Sequence, residues 1–213
     1  MNLAQYIDHT NLKADASEKD ICRLCVEAAK HGFASVCVNS SRTEIAATCL
    51  EYTDVAVCTV VGFPLGAAST AAKCAEAQKA AEDGANEIDM VMNIGLLKDG
   101  AYKAVADDIR AVVRSVPQCT VKVIIETCML TTEEKICACQ LAEAAGAHFI
   151  KTSTGFAASG ASEEDIRLIR STVGNRMKIK AAGGIHDART ALAMIEAGAD
   201  RIGASRSIEI CRG

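Results

Sequence analysis

Tryptophan is absent from this 213-residue chain, aromatic residues make up 3% of it, and only two prolines occur. A core with so few rings has to be built from Ala, Val, Ile, Leu, Met and Cys. No apolar run approaches the length needed to cross a bilayer, and the N-terminus (Met1 to Thr10) lacks a basic segment followed by an apolar stretch. Neither a membrane span nor a secretory signal is expected. No sign of charge dominates either. The net charge is −4 with acidic and basic residues interspersed, which argues against nucleic-acid binding through a broad basic face.

Half of the residues are hydrophobic and 23% are charged, a globular composition. The length suits one substantial core, so residues 1–213 are expected to form a single domain. Eleven cysteines, an odd number without a secretory signal, point to reduced thiols in a cytoplasmic protein. Cys22-x-x-Cys25 and Cys137-x-Cys139 fall in helix-patterned segments and lack the second pair of a structural zinc site. Packing is the expected role for these thiols, and no metal is expected.

A cycle recurs along the chain: a short apolar run, a polar or glycine turn, then an amphipathic helix ending near Gly-Ala. Glycine follows the helices at Gly32, Gly84, Gly146 and Gly198, where a left-handed residue closes a helix. Ser17-x-x-Asp20, Thr131 to Glu134 and Ser162 to Asp165 mark helix starts. The strand candidates are 6–10, 35–39, 55–61, 87–92, 121–126, 149–153, 178–182 and 201–203. Eight alternating β and α units predict a compact (β/α)8 barrel. An open doubly wound sheet is the alternative, disfavoured because no first strand leads into a Gly-x-Gly-x-x-Gly turn.

Chemistry in such a barrel gathers at the C-terminal strand ends. Lys151 and Lys180 stand in apolar, strand-like runs, where an ammonium is costly unless something compensates. On neighbouring strands the two amines would share a pocket. At roughly 6 Å and an effective dielectric near 20 their repulsion is about 3 kcal/mol, enough to free one amine as a nucleophile near neutral pH. The competing expectation is that both lysines clamp a phosphate or carboxylate. Asp89, in the fourth run, could relay a proton or neutralise Lys180, and Asp8 could orient a neighbouring Asn or the lysines. Gly183-Gly184 and Gly203-Ala204-Ser205 follow the last two strands, with Thr154-Gly155 after the sixth. Their backbone N–H groups suit a phosphate, with Arg206 and His186 flanking. Cys37, Cys58 and Cys128 are expected to pack, as is His148. His9 has no partner convincing enough to build a triad.

Taken together, Tyr6-Ile7-Asp8-His9-Thr10, Val36-Cys37-Val38-Asn39, Val60 to Gly66, Glu87-Ile88-Asp89-Met90-Val91, Lys122 to Thr127, Phe149 to Gly155, Lys180 to Gly184 and Arg201 to Ser205 resemble the deoxyribose-phosphate aldolases, a class I aldolase family, almost end to end. The resemblance implies reversible cleavage of 2-deoxy-D-ribose 5-phosphate to D-glyceraldehyde 3-phosphate and acetaldehyde, without a cofactor. It implies a Schiff base on Lys151, with Lys180 and Asp89 in proton transfer. It places substrate or phosphate on Asp8, Thr154, Gly155, Gly183, Gly184, Gly203 and Ser205. A homodimer is suggested by the resemblance alone. The pattern departs at Ser40, expected to loosen its loop, at Arg206, expected to strengthen or crowd phosphate binding, and at the C-terminus, which lacks a tyrosine. Other possibilities are an aldolase or transaldolase acting on a different phosphorylated carbonyl compound, and a phosphometabolite-binding barrel without catalysis.

Overall fold

Strand alternation divides the buried residues between two environments. In a computed structural model, which describes residues 2–212, eight parallel strands close into a barrel in sequence order. They are β1 (Ile7–Asn11), β2 (Ser35–Val38), β3 (Ala56–Val61), β4 (Glu87–Val91), β5 (Thr120–Ile124), β6 (Phe149–Lys151), β7 (Lys178–Ala182) and β8 (Arg201–Ala204). Around them lie α1 (Glu18–His31), α2 (Thr43–Leu50), α3 (Thr70–Glu82), α4 (Ile94–Lys98), α5 (Tyr102–Ser115), α6 (Thr132–Ala144), α7 (Glu163–Val173), α8 (Ala188–Ala197) and α9 (Ser207–Arg212). This is the expected (β/α)8 architecture.

The helix starts sit where the side chains can cap them. Ser17 and Asp20, and likewise Thr131 and Glu134, form reciprocal capping boxes, and the Ser162 hydroxyl accepts from the Asp165 amide. Each satisfies amide groups a helix leaves unpaired, worth about 1 kcal/mol per cap. Gly32 ends α1 in the left-handed conformation, φ 65°. Strand ends deviate from expectation by up to two residues. β5 stops at Ile124 because Glu126 turns left-handed, φ 53°, into a short 3-10 turn over Thr127–Met129. β1 starts one residue late, after a 3-10 turn over Leu3–Tyr6.

One set of strand side chains points outward. Ile7, Ile88, Met90, Val121, Val123, Ile150, Ile179 and Ile202 join Ile21, Leu24, Ile109, Val112, Ile166 and Ile169 of the helices in one apolar core. Each such side chain removed from water contributes about 1.5–3 kcal/mol. The alternate positions face the barrel interior, and there the residues are charged: Asp8, Glu87, Asp89, Lys122, Lys151, Lys180 and Arg201 touch one another across it. A small separate apolar group, Leu12, Cys37, Cys58 and Val60 with Phe63, fills another part. The loop expected to be loose after β2 is tied down, because Ser40 donates to Glu76 Oε1 at 2.7 Å.

Candidate active site

Register sets the two lysines side by side, Lys151 on β6 opposite Lys180 on β7. Their amines share one acceptor. Asp89 Oδ2 lies 2.9 Å from Lys151 Nζ and 2.7 Å from Lys180 Nζ, while Asp89 Oδ1 takes Lys122 Nζ at 2.7 Å. The lysine pair is therefore bridged by a carboxylate rather than bare, which corrects the picture of two ammonium groups in plain repulsion. Lys180 also meets Asp8 Oδ2 at 2.5 Å, Lys122 meets Glu87 Oε2 at 2.6 Å, and Arg201 pairs with both Asp8 and Glu87.

Burial disfavours every charge here, and the pairing outweighs it. Burial pulls the Lys180 ammonium down, but Asp8 and Asp89 hold it well above the ordinary lysine range. Lys122 is held higher than usual against burial by Asp89 and its neighbours. Burial pushes Asp89 up, yet Lys122, Lys151 and Lys180 keep it well below the usual carboxylate range. Asp8 is likewise depressed against burial by Lys180, Arg201 and Lys122. Four cations thus face three carboxylates, a surplus of one positive charge if all are ionised.

Among these charges, Lys151 alone lines the open cavity, which has a volume of about 470 Å³. It is 3% exposed, with Asp89 as its only carboxylate partner among the described residues. Lys180 and Asp89 lie directly beneath, fully buried. Asp8, expected among the substrate contacts, has no exposed surface, and Lys180 and Arg201 occupy its carboxylate. It supports the lysine instead.

The other expected residues do gather at the cavity. Thr154 and Gly155, Gly183 and Gly184, and Gly203 and Ser205 all line it, as does His186. Among the described residues the amides of Gly155, Gly184 and Ser205 donate to no backbone carbonyl outside regular elements, so they are open to an anion. Gly183 adopts φ 84° and Gly184 φ 77°, a left-handed pair that a residue with a Cβ rarely adopts. Gly203 has a different reason. A Cβ there would lie 3.1 Å from Lys180 Cε and 3.0 Å from Ala182 Cβ, so its small size lets the lysine pass. Arg206 does not line this cavity; its side chain is exposed in an adjoining depression, 3.9 Å from Glu209.

Lys122, Glu87 and Arg201 were not singled out from the sequence, although each occupies an inward strand position like that of Lys180. Glu126, a polar residue at the end of the fifth strand run, gains a definite role. Buried at the end of β5, its carboxylate accepts from the Thr154 amide at 3.2 Å and from the Thr154 hydroxyl, which in turn accepts from the Phe156 amide at 3.1 Å. This fixes the turn after β6 and sets Phe156 edge-on against Phe63, ring centroids 5.2 Å apart, at the cavity mouth.

Two ligand-like groups, Cys37 with Cys58 and Asp89, and Asp8 with Cys58 and Glu87, bring their donor atoms within 4.8 Å of one another. Lys122 Nζ already sits among them, 3.3 Å from Cys58 Sγ, so these donors serve a protein cation. A hydrogen bond with Cys58 draws the Cys37 thiol down to about 7 against burial, while burial and the same bond push Cys58 well up. Both thiols are buried as expected, whereas Cys128 is exposed and does not pack. His148 is exposed rather than packed, and is held by its Nδ1, which accepts from the Val121 amide at 3.0 Å.

The family model of the DeoC/LacD family aldolases matches residues 2–212. A deoxyribose-phosphate aldolase of Aciduliprofundum boonei is 61% identical over 98% of this chain and 95% of its own length. One from Macrococcus caseolyticus is 54% identical over 100% and 97%. Among solved structures, an aldolase called QR15 superposes with a TM-score of 0.96 at 43% identity, covering 100% of this chain and 95% of the other. The tetrameric deoxyribose phosphate aldolase of Aeropyrum pernix gives 0.93 at 32% identity, over 99% and 89%.

Proposed function

This chain belongs to the DeoC/LacD aldolase family, and from that premise we propose how it carries out the deoxyribose-phosphate aldolase reaction, through a Schiff base on Lys151. The enzyme is a carbon–carbon lyase acting on a small sugar phosphate. The observation that carries the residue assignment is the position of Lys151: of four cations in one buried cluster, it is the one at the cavity, with a single carboxylate partner. With four cations against three carboxylates, loss of one proton leaves the cluster neutral. A neutral amine at the cavity can attack a carbonyl.

The Lys151 amine adds to the aldehyde carbon of open-chain 2-deoxy-D-ribose 5-phosphate, and water leaves as the iminium forms. The iminium is an electron sink. When the C3 hydroxyl gives up its proton, the C2–C3 bond breaks, its electron pair enters the iminium to make an enamine, and D-glyceraldehyde 3-phosphate departs. Protonation of the enamine carbon and addition of water then release acetaldehyde and restore the amine. Asp89 Oδ2, in contact with both amines, is placed to exchange a proton with the Lys151 nitrogen. Lys180, held charged by Asp8 and Asp89, supplies a fixed positive charge below it. The glycine turns after β6, β7 and β8 hold the phosphate, which aligns the reacting carbons by binding energy spent away from them.

Acetaldehyde with borohydride tests this reading. The trapped product is an ethyl group on Lys151, found by peptide mass mapping, and Lys151→Ala removes both the adduct and all measurable turnover. A wild-type chain that binds the sugar phosphate but forms no adduct would mark the lysines as an anion clamp instead. We also propose a cytoplasmic homodimer, on the family resemblance, with sedimentation velocity as the check; the Aeropyrum pernix relative is described as tetrameric.

A further inference from the structure

Next to Asp8, which faces the barrel interior, His9 points the other way, toward α1 and the start of α9. It is 3% exposed. Its Nδ1 lies 2.8 Å from Ser207 Oγ and its Nε2 lies 2.9 Å from Glu27 Oε2. The ring also leans on Phe33, with centroids 5.2 Å apart. One imidazole thus joins a strand, the helix that follows it, and the first residue of the last helix.

Hydrogen bookkeeping shows how tightly. The Ser207 hydroxyl has one proton and two acceptors in reach, His9 Nδ1 and the Ala204 carbonyl at 3.0 Å. The ionised Glu27 carboxylate can only accept, so His9 Nε2 carries a hydrogen in either arrangement. With the ring neutral, Nδ1 accepts from Ser207. With the ring charged, Nδ1 donates to Ser207, whose proton turns to Ala204. Burial, opposed by Glu27, keeps His9 below the usual histidine range, which favours the neutral form. Serine, histidine and glutamate in a row resemble a hydrolytic triad, but Ser207 is fully buried and offers no nucleophile to a substrate.

The placement gives the group another use. His9 pairs in register with Ala204, and Ser207 lies two residues beyond Ser205. Gly203, Ala204 and Ser205 line the cavity, and so do His9 and Glu27. An anion held by backbone amides needs those amides fixed within about half an ångström. Beyond the strand pairing, the Ser207 hydroxyl reaches the Ala204 carbonyl across this turn, and His9 holds that hydroxyl from the side.

We propose that His9, tied to Glu27 and Ser207, is a positioning residue that holds the Ala204–Ser207 turn in the form that grips the substrate's phosphate. The proposal rests on the phosphate placement proposed above. It predicts an effect specific to the phosphorylated substrate rather than a general loss of activity.

Steady-state kinetics with 2-deoxyribose 5-phosphate and with unphosphorylated 2-deoxyribose provide the test, on wild type, His9→Leu, Ser207→Ala, Ser207→Thr and Glu27→Gln. In His9→Leu and Ser207→Ala the ratio of the two kcat/KM values falls about tenfold, the scale of one lost positioning contact. The fall arises from a raised KM for the phosphorylated sugar, with its kcat little changed. Ser207→Thr, which keeps the hydroxyl, restores the ratio. Should His9→Leu fail to fold, Glu27→Gln at the partly exposed end of the network carries the test, with a fall of about threefold. Discrimination kept by every variant, or equal losses on both sugars, overturns the proposal and leaves the phosphate reading standing. A wild type that treats the two sugars alike overturns the phosphate reading, and the proposal with it.

Discussion

Replacing Asp89 by asparagine removes one charge from the crowded barrel interior and keeps its shape. The carboxylate serves Lys122, Lys151 and Lys180 at 2.7–2.9 Å, all of them nearly or fully buried. Without it, four cations face only Asp8 and Glu87. Breaking a buried pair costs about 3–5 kcal/mol, and here one group serves three partners, so the upper end applies. The loss has a ceiling, because the folded variant can instead hold one of the lysines neutral. Against an ordinary lysine value of about 10.4, that costs roughly 4.6 kcal/mol at pH 7. Asp89→Asn is therefore expected to lose about 5 kcal/mol, a large share of a typical stability of about 5–15 kcal/mol. The variant's folded state then binds one proton fewer than the folded wild type, so its stability relative to wild type rises with pH. Relative to wild type it recovers about 1.4 kcal/mol per unit between pH 7 and 10. Toward acid the wild type itself loses stability. Its Asp89 and Asp8 are held low, so their contribution is complete above about pH 5 and is lost as pH falls further; the variant, lacking one share, falls less steeply. Urea unfolding followed by far-ultraviolet circular dichroism across this range measures both limbs. A deficit below 1 kcal/mol, or one that stays constant from pH 7 to 10, would refute the charge arrangement described for the barrel interior.

Gly203→Ala drives a Cβ toward Lys180 Cε and Ala182 Cβ, so kcat drops as the lysine is displaced and stability falls by about 1–3 kcal/mol, read from turnover and the urea midpoint. Lys73, fully buried, joins Asp108 at 2.7 Å and the Val91 carbonyl at 3.0 Å. Lys73→Met alone costs about 3–5 kcal/mol by stranding Asp108, whereas adding Asp108→Leu recovers most of it, since an apolar pair replaces a buried ionic one; a double variant no better than the single would contradict this.

The alternation of elements was legible because each strand and helix carries its own signals. Ser17 and Thr131 announce capping boxes that form as read, and β7 spans the expected residues. Ends were less legible where the chain turns into the site. Nothing local to Glu126 marks it as left-handed, since the conformation is held by Thr154, 28 residues away. His9 and Ser207, separated by 198 residues, meet only because β8 returns to pair with β1. Contacts made by barrel closure leave no spacing for a linear reading to detect.

The charged interior follows from the sequence once the strands are closed into a barrel. Lys151 and Lys180 stand out as lysines among apolar neighbours, while Glu87, Lys122 and Arg201 stand at or near strand starts. A closed barrel has no free edge, and its outer face is covered by helices, so a charged residue within a strand has to reach an end or turn inward. Once inside, it needs an opposite charge. Eight βα units therefore imply that strand charges balance within one small volume, and the two lysines already called for carboxylates beyond Asp89. Asp8 and Glu87 supply them, and Lys122 and Arg201 are the cations those carboxylates hold in turn. The cation left at the cavity with one partner is Lys151. The proposal that Lys151 is the nucleophile therefore rests on the count of charges around it rather than on closeness to a second lysine.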